Sequence, residues 1–325
     1  MSRSHDRVTL CVKGFSMATT TEARRAASAA LAVGLLVVLA SSGGSAGRAR
    51  AAAEPVALPA SFQQIDQGPA GGTVWQGWIP DPAIPRAHRL TVVYLPPGIS
   101  PGSRFPVVYL LHGFRGSPYE FAFGLHLARV ADREIEAHAI RPFIAVAPPA
   151  GVSGKFHGEW SGAWEEYVVH EVVPWVDSHL PALRSRQAST IAGLSAGGYG
   201  AVDIGLRHPD LFGTLESWSG YFKPFRDGSL YRAGPAELAA HDPSLLVQAE
   251  SLRLHRLGTR FFLSSGTTHD HTSASRATEF ARELTSLRLP HELVLRPGGH
   301  DGAFWREQLP AALRFALSGH LLPAT

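Results

Sequence analysis

The sequence predicts an α/β fold, a mostly parallel sheet with helices on both faces. Three observations lead there. Strand-like apolar runs alternate with helix-patterned segments from residue 73 to the C-terminus. Several of the runs are apolar at every position, as in strands buried on both faces. The residues able to do chemistry fall just after strand ends, where such sheets place their sites.

Taken in order, the chain begins with a leader pattern. Arg24 and Arg25 precede an apolar run from Ala26 to Ala40, followed by small residues and Ala51-Ala-Ala53. That layout predicts a secretory signal peptide over residues 1–53, with Met17 as an alternative start. The apolar run is shorter than the roughly 20 residues a membrane span needs, so no stable membrane insertion is expected after cleavage. Residues 54–325 are then expected to form a single domain. Within it, residues 73–80 and 88–95 read as strands closed by proline, and Pro106–Leu111 as a buried strand ending in His112-Gly113. Residues 118–138 carry a helical pattern, 142–147 a second buried strand, and 163–179 an amphipathic helix. A strand over 189–194 runs into a helix ending near His208-Pro209. Strands follow at 212–218, 260–264 and 291–295, with helices at 273–287 and 303–318.

Charge and cysteine content narrow the function. Residues 1–53 hold seven of the 30 Lys and Arg and two of the 27 Asp and Glu, leaving 23 basic against 25 acidic residues, a net −2. No basic run remains, so a nucleic-acid partner is not expected. The only cysteine, Cys11, lies in the leader. The remainder therefore has no disulfide, no cysteine metal ligand and no cysteine for lipid attachment.

The chemistry centres on Gly193-Leu-Ser-Ala-Gly197, where an apolar strand stops at Ser195 and a helix begins. A nucleophile at such a turn has its hydroxyl lifted above the sheet edge. Glycines two residues to either side leave room for the two backbones to approach. The same pattern recurs at Gly43–Gly47, but no strand precedes it there. A serine hydroxyl needs a base, and the base needs an acid to orient it. On open sheets the order is Ser, acid, His. His300, in the glycine-rich loop after the last strand, is the expected base. Asp270, after the preceding strand, is the expected acid, with Asp242 as its rival. The backbone N–H groups of Ala196 and Phe114 are the expected oxyanion donors. His112 is read as structural. His269 and His271 flank Asp270 without further clustered ligands, so no metal is expected, and no cofactor is needed.

Four stretches resemble the putative-esterase family of α/β-hydrolases: Pro106–Gly113, Gly193–Ala201, His208–Phe212, and Gly298–Asp301 with Trp305. The likeness runs over about residues 85–320, with its motifs in order. The family includes S-formylglutathione hydrolases, feruloyl and acetyl-xylan esterases, and mycobacterial mycolyltransferases. The resemblance implies an α/β-hydrolase fold with Ser195, Asp270 and His300 as the triad. Two positions depart from its pattern. Gly302 stands where many relatives carry Trp, and His269 where they often carry the Asp; Asp270 keeps the spacing to His300. Trp160, Trp164, Tyr221 and Trp305 are the candidate substrate-binding residues.

Together these readings describe a secreted serine carboxylic-ester hydrolase, free or associated with the cell wall, working through an acyl-enzyme on a small or polymer-linked ester. A secreted acyltransferase that passes the acyl group to a sugar hydroxyl would use the same residues. A non-catalytic cell-wall binding protein is the alternative of a different class.

Overall fold

The computed structural model describes residues 58–81, 84, 90–99, 102–151 and 160–318. The expected leader and its cleavage site lie outside them. Nine strands form one sheet: β1 (Gln63–Gln67), β2 (Thr73–Gly77), β3 (Thr91–Leu95), β4 (Val107–Leu111), β5 (Ile144–Ala147), β6 (Ser189–Leu194), β7 (Thr214–Trp218), β8 (Arg260–Gly266) and β9 (His291–Arg296). Their order is β1-β2-β3-β5-β4-β6-β7-β8-β9. The first three run antiparallel at one edge, and the six from β5 to β9 are mutually parallel. β4, β5, β6 and β7 are buried at nearly every position, which is why they read as unbroken apolar runs.

Alternate residues of the central strands feed two apolar layers. Val107, Tyr109 and Leu111 point into a core shared with Ile191, Leu215 and Phe261. It is closed by α4 (Ala196–Arg207) and α8 (His271–Ser286), and by α2 (Ala163–Glu166) and α3 (Val173–His179), which a π-helical stretch joins. Val108 and Leu110 point the other way, against α1 (Leu127–Glu136) and α9 (Gly302–Ser318). Register then sets the site. Leu111 pairs with Gly193, Leu194 with Trp218, and Trp218 with Ser264. The loops leaving β4, β6, β7 and β8 therefore emerge side by side.

Three features differ from the sequence reading. β1 is an additional strand; its Gln-Gln-Ile-Asp-Gln sequence is polar because it lies on the sheet edge with most of its surface wet. The helix expected over 118–138 is two pieces: a wide turn at Glu120–Gly124, closed by Leu125 N–H donating to the Glu120 carbonyl at 2.8 Å, and then α1. His126, in a left-handed conformation with φ 55°, separates them. The connection from β7 to β8 carries three short helices, α5 (Pro235–Ala240), α6 (Pro243–Ala249) and α7 (Ser251–Leu257). Among the described residues no helix is long and apolar enough to cross a membrane.

Candidate active site

Ser195 sits where β6 turns into α4, with φ 55° and ψ −119°, a conformation that a non-glycine residue holds only under constraint. The constraint is visible. Its N–H donates to the Trp218 carbonyl at 2.8 Å, and its own carbonyl accepts from Gly198 N–H at 2.9 Å. A Cβ on Gly197 would overlap the Leu111 carbonyl, and one on Gly193 would overlap the Gly197 carbonyl. Only glycine lets strand and helix pass this closely, so both glycines belong to the serine's geometry.

The loops after β8 and β9 are laced together. Thr267 and Thr268 donate to the carbonyls of Arg296 and Gly298 at 2.9 and 3.0 Å, and the Gly298 N–H returns a bond to Thr268 Oγ1 at 3.2 Å. This lacing brings three side chains into line. His300 Nε2 lies 2.9 Å from Ser195 Oγ, and His300 Nδ1 lies 3.1 Å from Asp270 Oδ2. The imidazole side chain is 38% exposed and the carboxylate is buried. Burial alone would push the Asp270 carboxyl up, but hydrogen bonds from His300, Ser273 and Ser219 hold it below the usual carboxylate range. Asp270 therefore stays ionised beside the imidazole.

Asp242 has a different role. It caps α6, accepting from Ser244 N–H at 2.9 Å and Leu245 N–H at 3.3 Å. Among the described residues no group of three or more His, Cys, Asp or Glu is gathered as a metal site.

The turn after β4 runs beside the serine: a Cβ on Gly113 would lie 3.2 Å from Ser195 Cβ. Gly116 N–H closes this turn onto the Gly113 carbonyl at 2.9 Å, with Phe114, 53% exposed, at its tip. Ala196 begins α4, so its N–H belongs to the positive end of the helix dipole. His112 is fully buried and braces the turn. Its Nε2 accepts from Ala150 N–H at 3.0 Å, so Nδ1 carries the proton and donates to the Gly113 carbonyl at 2.9 Å. Burial pushes this imidazole down to about 4, so it is neutral near pH 7.

The candidate substrate residues separate. The expectation for Trp160 and Trp164 is corrected, because both rings belong to the core. Trp160 has no exposed surface, and its N–H donates to the His112 carbonyl at 3.0 Å; Trp164 packs edge-on against Tyr167. The Trp305 and His300 rings meet at 79° with centroids 5.1 Å apart, and Trp305 donates to Ser219 Oγ at 3.2 Å, so its ring braces His300 rather than offering a free wall. Tyr221 lines a cavity along α8 that includes none of Ser195, Asp270 and His300. A Cβ on Gly302 would meet nothing within 4 Å, so the space beside the His300 loop is open there.

Three serines and a glutamate escaped the sequence reading. Ser265 Oγ donates to Asp270 Oδ2 at 3.1 Å, and Ser219 and Ser273 also bond that carboxylate. Glu120 packs against the turn after β4, where a Cβ on Gly116 would lie 2.7 Å from its Oε2, and burial raises its carboxyl. Ser219 and Ser265 lie at the ends of β7 and β8, a position they share with other serines that do not reach the carboxylate.

A family model described as "Putative esterase" matches residues 85–316. An esterase of Mycobacterium tuberculosis is 25% identical over 236 residues, which cover 61% of this chain and 49% of that protein. An endo-1,4-beta-xylanase/feruloyl esterase of Xylanibacter ruminicola is 30% identical over 140 residues, 39% of this chain and 19% of that protein. The chain spans about half the length of the mycobacterial relative it matches. Among solved structures, a ferulic acid esterase superposes with TM-score 0.65 at 22% identity, covering 76% of this chain and 99% of that one. An S-formylglutathione hydrolase from Agrobacterium tumefaciens superposes with TM-score 0.61 at 17% identity, covering 79% and 98%. At those identities the two superpositions speak for the fold.

Proposed function

The chain belongs to the putative-esterase family, and from that premise we propose that it is a serine carboxylic-ester hydrolase working through an acyl-enzyme. The supporting observation is the continuous line from Ser195 Oγ through His300 to Asp270, with contacts of 2.9 and 3.1 Å. In this reading His300 Nε2 takes the Ser195 proton as Oγ attacks the ester carbonyl. Asp270 fixes the tautomer with the proton on Nδ1 and stabilises the imidazolium that forms. The N–H groups of Ala196 and Phe114 receive the oxyanion. His300 then protonates the departing alkoxide, and a water activated by the same imidazole releases the acid.

The exposure of His300 favours hydrolysis, because water reaches the base without a lid opening among the described residues. The substrate is proposed as a small or polymer-linked ester. Export is proposed from the Arg24-Arg25 leader pattern. Ser195→Ala is expected to lower kcat/KM for p-nitrophenyl acetate by about 10⁴-fold or more with the fold retained; undiminished turnover would remove the assignment. If an added sugar accelerates donor turnover without matching release of free acid, the reaction is acyl transfer instead.

A further inference from the structure

Beside the catalytic line, segment 221–225 and α8 enclose a cavity of about 560 Å³. That is within the usual range for small-molecule sites, about 300–1,000 Å³. Its chemistry is mixed in a particular way. Phe225 is 46% exposed and packs 4.6 Å from the Tyr221 ring. The Arg276 guanidinium lies 5.4 Å from the Phe225 centroid and 5.8 Å from that of Tyr221. Lys223 lines the same space, as do Glu279 and Glu283.

The two carboxylates are not paired with the two cations. Ser275 Oγ donates to Glu279 Oε1 at 3.3 Å, and Gln248 donates to Glu283 Oε1. Arg276 and Lys223 make no ion pair or hydrogen bond among the described residues. An occupant that satisfies the whole cavity needs an anionic group for the cations, hydroxyls to donate to the carboxylates, and an apolar face for Phe225. An aromatic acid without hydroxyls adds no donor to carboxylates that Ser275 and Gln248 each meet at one oxygen. A neutral sugar leaves the cations unanswered. A carboxylated sugar ring meets all three demands.

We propose that this cavity binds an acidic saccharide and that it holds the carrier of the ester processed at Ser195. The second half rests on the esterase reading above. The placement supports it: α8 starts one residue after Asp270, and Arg276 is about 9 Å further along the same helix. As proposed, one oligosaccharide lies along α8 with its esterified end at Ser195.

Calorimetric titration of the full-length protein with trigalacturonic acid, maltotriose and sodium sulfate tests it. Trigalacturonic acid should bind at least about tenfold more tightly than maltotriose or sulfate. Arg276→Ala, with an unchanged circular dichroism spectrum, should weaken it by about tenfold. No binding of trigalacturonic acid, equal binding of maltotriose or of sulfate, or an unaffected Arg276→Ala variant would each overturn the site. On an acetylated oligogalacturonide, the variant should raise KM and leave kcat near the wild-type value. Saccharide binding by a protein that hydrolyses no ester would keep the cavity's ligand and remove the esterase reading. Ester hydrolysis without saccharide binding would do the reverse.

Discussion

The carboxylate of Asp270 is the residue on which the base depends most, and its surroundings say how. Three serines and one imidazole converge on it, so its charge is held by hydrogen bonds that an amide cannot fully accept. Asp270→Asn keeps the shape but would present an N–H to His300 Nδ1, favouring the wrong tautomer. By analogy with triad proteases, kcat should fall about 10⁴-fold, while Asp242→Asn, at a helix cap, should leave kcat near the wild-type value; the reverse ranking in a kinetic comparison would reassign the acid. His112 makes a second prediction, this time about stability. In the folded protein its imidazole titrates at about 4 against 6.5 unperturbed. Between those values the unfolded chain binds more protons, so stability falls as pH drops from 6.5 to 4 and the effect vanishes outside that window. Its size is on the order of 3 kcal/mol. His112→Gln keeps an acceptor for Ala150 N–H and removes the titration. Urea unfolding at pH 7, 5.5 and 4.5 should give a flatter pH dependence for the variant than for the wild type; identical slopes would show that His112 does not couple to folding. Serine and histidine were legible in the sequence because each follows a strand within a glycine-rich turn. The supporting serines were not, because Ser219 and Ser265 look like any other serine until the loops that carry them are laced together.

Between β6 and α4, the elbow works as an element because Gly193 and Gly197 let two backbones overlap in space that a methyl group would fill. Gly197→Ala would drive a Cβ into the Leu111 carbonyl, and backbone on both sides leaves nothing flexible to yield. A loss of about 3 kcal/mol or more is expected, at the upper end of single substitutions, together with misplacement of Ser195. Chemical denaturation and p-nitrophenyl acetate turnover should both register it; a variant that matched the wild type in both would mean the elbow relaxes elsewhere. The strands that build this element were readable from sequence because burial on both faces leaves an unbroken apolar run. β1 was not, since an edge strand's polar residues carry no such pattern. The break in the helix expected over 118–138 was hidden for another reason. His126 adopts a left-handed backbone with no glycine to announce it, and the wide turn before it keeps Phe121 and Ala122 buried, so the apolar spacing survives across the discontinuity. Helices α5, α6 and α7 were also missed. Each is only six or seven residues long, too short to build a clear period, and two of them begin at a proline that reads equally well as a turn.

At the scale of the whole molecule, one side chain ties three strand entries together at the end of the sheet opposite the site. Arg186 is half-buried just before β6 and reaches four groups on two other chain segments. It donates to the carbonyls of Pro209 and Phe212 at 2.8 and 2.9 Å, to the Leu257 carbonyl, and to Thr259 Oγ1 at 3.0 Å. The segments it joins are the entries to β6, β7 and β8, so one guanidinium registers three adjacent parallel strands at their N-terminal ends. Ser195 lies at the far end of β6, about 20 Å away for a six-residue strand. Stability and catalysis are therefore expected to separate along the strand axis. Arg186→Ala would leave three carbonyls without their donor and is expected to remove about 3 kcal/mol. For a domain of this size that corresponds to a fall in Tm of roughly 6–10 °C. Arg186→Lys should recover only a small part, since one ammonium cannot present the planar fork that meets three carbonyls on two segments. At 25 °C, where both variants remain folded, kcat/KM for p-nitrophenyl acetate should match the wild type. A calorimetric Tm unchanged in Arg186→Ala would mean that the strand entries are held by their ladder alone. A loss of turnover at 25 °C in a fully folded variant would mean instead that strand register at one end of the sheet is transmitted to the serine at the other.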